Sequence, residues 1–124
     1  MPPAVAIIGA SPDRAKFGNK AVRAYRRMGY EVYPIHPKAA EIEGEKAYPS
    51  LDAVPRHDFE RVSFYVAPAI GMGVMEQVAR KQVDEIWLNP GAESPELEAK
   101  GRELGLNIIV GCSILAVGVS PEEL

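Results

Sequence analysis

The residues whose types and spacing are best suited to binding a ligand form a short turn near the start of the chain. An unbroken apolar run, Ala4 to Ile8, leads into Gly9-Ala10-Ser11-Pro12, and a helical pattern begins at about Lys16. Small residues let a ligand come close to the backbone, and a strand-turn-helix unit directs free N–H groups and the helix dipole at an anion. The turn therefore favours phosphate binding. It lacks the second glycine of G-x-G-x-x-G, and no G-K-[ST] follows, so an ordinary strand-to-helix turn remains the alternative.

Positive charge is concentrated in the same part of the chain. Residues 1–38 hold seven Lys and Arg against two acidic residues, whereas the remainder holds seven against fifteen. Arg14, Lys16 and Lys38 lie close to the turn or follow the next predicted strand, and there they favour an anionic ligand. The arginines between residues 23 and 27 are expected on a solvated helix face. No aromatic-basic interleaving or recognition motif accompanies the positive charge, so we expect no nucleic-acid partner.

Length and composition predict one domain that spans residues 1–124. A hydrophobic fraction of 47% allows an ordinary core. No apolar run approaches the ~20 residues that cross a bilayer, and Met1-Pro2-Pro3 leads directly into the first strand, so we expect neither a membrane span nor a signal peptide. The single cysteine, Cys112, excludes an internal disulfide and fits the cytoplasm, where we expect the protein. With one cysteine and two distant histidines, we predict no metal site.

Alternating strand and helix patterns predict an α/β fold. Five apolar or β-branched segments are predicted as strands, at residues 4–8, 31–35, 61–66, 85–88 and 107–110. Helical patterns are predicted between them, at residues 16–28, 39–42, 50–54, 71–81 and 94–104. This alternation is typical of a Rossmann-like three-layer fold with a parallel sheet. Right-handed crossovers leave few topologies, and we predict strand order 3-2-1-4-5.

The predicted order implies where a ligand binds. Open α/β sheets bind ligands where the strand order reverses, outside the carboxyl ends of the strands. In the order 3-2-1-4-5 this crevice lies between the first and fourth strands, so its lining is predicted from the turn after the first strand and from Leu88-Asn89-Pro90. The loops His36-Pro37-Lys38 and Val66-Ala67-Pro68 are expected to form its outer wall.

The end of the second strand discriminates between nucleotides. NAD-binding sites usually carry Asp or Glu there, whereas this chain has Pro34-Ile35-His36-Pro37-Lys38 with no carboxylate. A cation in that position favours a ligand with a ribose phosphate, such as NADP or coenzyme A. No Ser/His/Asp set and no pair of carboxylates falls in a plausible common cleft, so we predict no catalytic residue.

Four segments resemble the CoA-binding domain family, which comprises small stand-alone bacterial and archaeal proteins and the N-terminal domain of the succinyl-CoA synthetase alpha subunit. The resemblance extends over nearly the whole chain to about Val110. The segments are Ala6-Ile7-Ile8-Gly9-Ala10-Ser11-Pro12, Gly29-Tyr30-Glu31-Val32-Tyr33-Pro34-Ile35-His36-Pro37-Lys38, Ile42-Glu43-Gly44-Glu45-Lys46-Ala47-Tyr48-Pro49-Ser50-Leu51 and Ile86-Trp87-Leu88-Asn89-Pro90-Gly91.

The resemblance implies roles for individual residues. It implies that the turn Ser11-Pro12-Asp13-Arg14 holds the CoA phosphates and that Lys38 lies near the nucleotide end. It further implies that Val66-Ala67-Pro68 lies against the adenine and Leu88-Asn89-Pro90 near the pantetheine. Many stand-alone relatives carry Asp-Arg-Cys after the fifth strand, where this chain has Val110-Gly111-Cys112, so a role that depends on that Asp and Arg does not transfer.

These observations lead to one main hypothesis and two alternatives. The main hypothesis is a module that binds coenzyme A or an acyl-CoA without catalysis of its own; its protein partner, if it has one, is left undefined. Within it we predict that Arg14 contacts the diphosphate and Lys38 the ribose 3′-phosphate, with backbone donors from Gly9 to Ser11. The alternatives are an NADP-binding oxidoreductase, or a fragment of one, and a regulatory or scaffold domain that uses CoA as a signal.

Overall fold

Five parallel strands form the central sheet of the molecule, and helices cover both of its faces. The computed structural model describes residues 1–124. Its strands are β1 Ala4–Ile8, β2 Glu31–Ile35, β3 Glu41–Ile42, β4 Glu45–Lys46, β5 Asp58–Phe64, β6 Gln82–Leu88 and β7 Ile108–Val110. Its helices are α1 Phe17–Arg27, α2 Pro68–Ala79, α3 Pro95–Glu103, α4 Ser113–Ala116 and a 3₁₀ turn at Pro121–Glu123. The predicted α/β fold with a five-stranded parallel sheet is confirmed.

The order of the strands differs from the predicted 3-2-1-4-5. The sheet runs β2-β1-β5-β6-β7, so the third long strand, β5, pairs with β1 instead of lying beyond β2. Ile8 pairs with Ile35 on one side and with Phe64 on the other. The physical reason is that β2 contains Pro34, which has no N–H for a second ladder and suits an edge strand, whereas Val62 and Phe64 of β5 are fully buried.

This order moves the point at which the chain direction across the sheet reverses. Counted over the five long strands, the order is 2-1-3-4-5, a common arrangement of doubly wound sheets. The reversal therefore lies between β1 and β5, and not between the first and fourth predicted strands. The loops after β1 and β5, at Gly9 and Tyr65, become direct neighbours at the carboxyl edge of the sheet, where Tyr65 N donates to Ile8 O at 2.8 Å.

The segment after β2 is also different from its prediction. Residues 39–42 were predicted as a short helix, but Glu41 and Ile42 pair with β4 in a small antiparallel hairpin. The two residues at its turn, Glu43 and Gly44, both have positive φ, at 53° and 80°. Two consecutive residues with positive φ form the tight turn that matches the twist of a hairpin, and a helix cannot continue through them.

Each face of the sheet has its own hydrophobic core. On one face, α2 and α3 contribute Met75, Val78 and Leu97, which pack on side chains of β1, β5 and β6. On the other face, α1 contributes Tyr25 and its small neighbours, and the short α4, which was not predicted, contributes Ile114. These layers confirm the three-layer architecture. None of the helices has the length and apolar composition needed to cross a bilayer.

Candidate functional site

A cleft lies at the carboxyl edge of the sheet, where the loops after β1 and β5 meet. Its volume is about 360 Å³, and it opens to solvent. It is lined by Gly9, Lys16, Phe17, Gly18, Tyr65, Val66, Ala67, Pro90, Gly91 and Ala92. Lys16 is the one charged residue in this lining, and no carboxylate contributes to it. The cleft therefore has the position expected of a ligand site in this topology and a positive character.

Two glycines allow the elements around the cleft to approach each other. Gly9 has φ +85°, and a Cβ there would lie 2.7 Å from the carbonyl oxygen of Tyr65 and 2.8 Å from Cγ1 of Val66. Gly18, in the first turn of α1, comes so close to Gly9 that an added Cβ would lie 2.2 Å from the Gly9 carbonyl oxygen. No larger residue fits either position, so the loop after β1, the loop after β5 and the first turn of α1 pack together as one wall of the cleft.

Two helices begin beside the cleft, and neither has a side-chain N-cap. In the first turn of α1, the N–H groups of Phe17 and Gly18 donate to no backbone carbonyl. The same is true of Gly9, Ala10 and Ser11 in the preceding turn. Free amides at the start of a helix, with the positive end of its dipole, form a set of donors suited to a phosphate group. This donor set fits the anionic part of a nucleotide cofactor.

The polar residues of the predicted phosphate turn shape the turn itself. The Ser11 hydroxyl accepts from Asp13 N at 3.1 Å, and the Asp13 carboxylate accepts from Ala15 N at 3.0 Å. Lys16 N donates to the Asp13 carbonyl at 3.1 Å. Pro12 is exposed between them. These bonds fold the loop so that Lys16 reaches the cleft lining, and Ser11 and Asp13 do not line the cleft.

Arg14, predicted to contact the diphosphate, lies outside the cleft lining. Its guanidinium forms an ion pair with Glu43, which lies 29 residues away at the tip of the β3–β4 hairpin. The buried amide of Asn19 donates to the same carboxylate at 3.1 Å and to Ser11 O at 2.9 Å. The hydrogen bond from Asn19 and the neighbouring Arg14 hold the pKa of Glu43 below its ordinary value. Lys16, rather than Arg14, is therefore the cation that lines the cleft.

The loop after β2 is organised by a histidine. Nδ1 of His36 accepts from Lys38 N at 3.0 Å and from Ala39 N at 2.8 Å. Pro37 and Lys38 are exposed, and neither lines the cleft. Because β2 pairs directly with β1, this loop nevertheless lies at the same edge of the sheet as Gly9.

The predicted segments after β5 and β6 divide into lining and supporting residues. Val66 and Ala67 line the cleft, while Pro68 begins α2. Pro90 also lines it, whereas Leu88 is fully buried in the core. Asn89 is buried and makes its contacts inside the protein.

Asn89 ties the end of β6 to its neighbours. Its amide nitrogen donates to the Ser63 hydroxyl at 2.8 Å and to Phe64 O at 2.9 Å. Its amide oxygen accepts from Ser113 N at 2.9 Å, at the start of α4. The side chain is therefore saturated by protein groups and acts as a support beneath the cleft.

A smaller cavity of about 80 Å³ adjoins the cleft. Phe17, Tyr65 and Pro90 line both, and Asn89 and Cys112 complete the smaller one. The hydroxyl of Tyr65 lies 3.2 Å from that of Ser113, and burial raises the pKa of Tyr65 above its ordinary value. A neutral phenol and a thiol thus border this less polar end.

Sequence reasoning missed five residues of the cleft lining: Phe17, Gly18, Tyr65, Gly91 and Ala92. Gly18 could have been found, because a glycine early in a helix that follows a glycine turn often permits close helix–strand packing. Tyr65 carried no such signal, since its position depends on which strand neighbours β1. No group of three or more His, Cys, Asp or Glu residues is placed to hold a metal ion.

Comparisons with known proteins agree with the geometry. The chain is 36% identical over 84 residues to an ADP-forming acetate–CoA ligase I of Archaeoglobus fulgidus, in a match that covers 67% of this chain and 12% of the ligase. The chain is also 34% identical over 82 residues to the ADP-forming acetate–CoA ligase of Methanocaldococcus jannaschii, in a match that covers 66% of this chain and 12% of that protein. The chain therefore corresponds to a small part of these curated relatives.

Solved structures include both small and large relatives. A hypothetical protein from Pyrococcus horikoshii OT3 superposes with a TM-score of 0.84 at 31% identity, covering 91% of this chain and 79% of that one. The apo form of the dinucleotide-forming acetyl-coenzyme A synthetase 1 of Ca. Korarchaeum cryptofilum superposes with a TM-score of 0.74 at 27% identity, covering 87% of this chain and 26% of that one. The family model described as CoA binding domain matches residues 3–118. The protein therefore belongs to the CoA binding domain family.

Proposed function

We propose that the protein binds coenzyme A, or an acyl-CoA, in the cleft between the loops after β1 and β5. The observation that carries this proposal is the cleft itself: free amides from Gly9 to Ser11 and from the start of α1, one lining cation, Lys16, and no lining carboxylate. A diphosphate needs hydrogen-bond donors and positive potential, and this wall of the cleft offers both. Membership of the CoA binding domain family supports the choice of cofactor.

The two ends of the ligand are assigned by chemistry. The diphosphate takes the amides of the turn and the charge of Lys16. Lys38, exposed at the end of β2, takes the ribose 3′-phosphate. The less polar pantetheine arm then runs towards Pro90 and the small cavity beside Cys112. Arg14 contributes to the positive field, and it contacts the diphosphate only if it leaves Glu43.

Only the binding step is proposed for this chain. It covers 12% of the A. fulgidus ligase, and the polar side chains beneath the cleft are used in internal hydrogen bonds. We propose residues 1–124 as a single binding module without catalysis of its own, comparable to the CoA-binding domain of succinyl-CoA synthetase.

Isothermal titration calorimetry with CoA, acetyl-CoA and NADP tests the proposal. We expect heat of binding with CoA or acetyl-CoA and weaker or no heat with NADP. Absence of heat with every CoA species, at micromolar protein and millimolar ligand, would contradict the proposal. Preferential binding of NADP would instead support the oxidoreductase alternative.

A further inference from the structure

A second concave surface lies beside α1. It has a volume of about 490 Å³ and is bordered by the 3₁₀ turn at the end of the chain. We refer to it as the arginine groove, and its lining residues are Arg14, Arg23, Arg26, Arg27, Glu123 and Leu124. It shares no lining residue with the cleft.

The positive charge of the arginine groove exceeds the negative charge paired with it. Arg27 pairs with Glu123 at 3.2 Å, and Arg14 pairs with Glu43. Arg23 and Arg26 form no ion pair with any carboxylate. Arg23 donates to the Asn19 side chain and to Arg14 O, both at 2.8 Å, and Arg26 donates to the carbonyl of Glu43. These neutral acceptors leave two guanidinium groups without an ion-pair partner within one depression.

The charges around Arg23 also indicate an excess of positive charge in the groove. Partial burial lowers the pKa of Arg23, and the positive charge of Arg14 lowers it further, with smaller contributions from Arg27 and Arg26 that add to the same effect. Glu43 opposes the shift only in part. Repulsion among guanidinium groups is relieved when an anion binds between them, so the groove gains stability from such a ligand.

The shape and composition of the groove select the class of anion. Arg26 and Arg27 follow Arg23 by three and four positions on one helix, so the three Cα atoms lie within about 6 Å along its axis. Guanidinium forks match phosphate oxygens, and the groove offers no aromatic ring to stack on a base. The chain itself already brings one anionic group, the Glu123 carboxylate, to Arg27.

We propose that the arginine groove binds an oligophosphate anion, recognised through its phosphate groups, and that Glu123 competes with this anion for Arg27. The arginine groove and the cleft share no lining residue, so both can be occupied at once. A free oligophosphate and the phosphate chain of a nucleotide present the same chemistry, and without base contacts the groove should bind both with similar affinity.

Titration with tripolyphosphate, followed by calorimetry at low salt in the Lys16→Ala background that removes the lining cation of the cleft, tests this proposal. The double variant Arg23→Ala/Arg26→Ala should bind tripolyphosphate at least roughly tenfold more weakly, if each partly exposed contact contributes about fivefold. The matched control is Arg102→Ala, which removes an exposed arginine from α3 and should leave the affinity unchanged. Equal affinity in the double variant and in the control would overturn the proposal.

A second variant tests the competition and guards against a folding artefact. Glu123→Gln removes the competing carboxylate without removing any arginine, so it should tighten tripolyphosphate binding by about twofold to fivefold. Unchanged or weaker binding in this variant would contradict the competition. In the Lys16→Ala background, which removes the lining cation of the cleft, ATP should bind within about threefold of tripolyphosphate, and a much tighter ATP complex would show recognition of the base and refute recognition through phosphate alone. The affinity for CoA should stay the same in Arg26→Ala.

Discussion

Substitution of Gly9 by alanine tests how the cleft is built. The added Cβ would lie 2.7 Å from the Tyr65 carbonyl oxygen, which is backbone and cannot rotate away, and 2.8 Å from Cγ1 of Val66. Gly9 also has φ +85°, a conformation that L-residues rarely adopt. The left-handed conformation costs about 1–2 kcal/mol for alanine, and a forced core displacement costs about 1–3 kcal/mol. The free energy of unfolding should therefore fall by about 2–5 kcal/mol.

Gly29→Ala separates the two contributions. Gly29 has the same φ of +85°, but nothing lies within 4 Å of an added Cβ there. Its substitution should cost only the conformational part, about 1–2 kcal/mol. Urea unfolding followed by circular dichroism gives both free energies by linear extrapolation. The difference between the variants then measures the steric cost of closing the cleft wall.

The expected result is a larger loss for Gly9→Ala than for Gly29→Ala, by about 1–3 kcal/mol. The calorimetric affinity for CoA should also fall in Gly9→Ala and stay constant in Gly29→Ala, because only the first displaces the loops that carry the donors. Equal losses of stability in the two variants would refute the close approach of the loops after β1 and β5. A stable Gly9→Ala protein with normal CoA affinity would refute its role in the proposed site.

Three further outcomes are expected. Lys38→Ala should weaken the binding of CoA by about tenfold and leave the binding of dephospho-CoA nearly unaffected, whereas Lys16→Ala should weaken the binding of both ligands. Calorimetry measures these affinities. Equal effects of Lys38→Ala on the two ligands would contradict its assignment to the 3′-phosphate. Asn89→Ala should lower the free energy of unfolding by roughly 2–4 kcal/mol, because three hydrogen bonds are lost in a buried site. A loss below about 1 kcal/mol, measured by urea unfolding, would contradict the supporting role of Asn89. Burial raises the pKa of both Tyr25 and Tyr65, so the unfolded state loses their protons first as the pH rises. The contribution of these two phenols to stability should therefore be constant below about pH 10 and fall above it, and Tyr65→Phe should make this alkaline decline shallower in pH-dependent unfolding.

Local patterns in the amino-acid sequence predicted the elements that surround the site. The apolar run before Gly9, the helical pattern after Lys16 and the helical pattern at residues 94–104 each depend on residues within one or two turns of one another. In the structure α3 spans Pro95–Glu103, and its N-cap residue Ser94 accepts from Leu97 N at 3.1 Å. The α/β class with a parallel sheet followed from the alternation of these elements, as did the expectation that residues after Gly9 stand at a sheet edge.

Tertiary structure decided how those elements combine. No local pattern determined which strand pairs with β1 on the side away from β2, because a buried strand can occupy several interior positions of a sheet equally well. Once β5 lies there, Tyr65 enters the cleft and the reversal point shifts. The ion pair between Arg14 and Glu43 could not be predicted either, because Glu43 lies at the turn of a hairpin, a segment for which local propensity predicted a helix.

The same distinction applies to individual side chains at the predicted site. The sequence by itself pointed to five residues that line the cleft, and their places follow from where strands end and helices begin: Gly9, Lys16, Val66, Ala67 and Pro90. It could not show that Asn89 is committed to internal hydrogen bonds, because its acceptors and donor come from β5 and α4, more than twenty residues away on either side. Contacts between distant segments arise only when the sheet is assembled, and they decide which side chains remain available to a ligand.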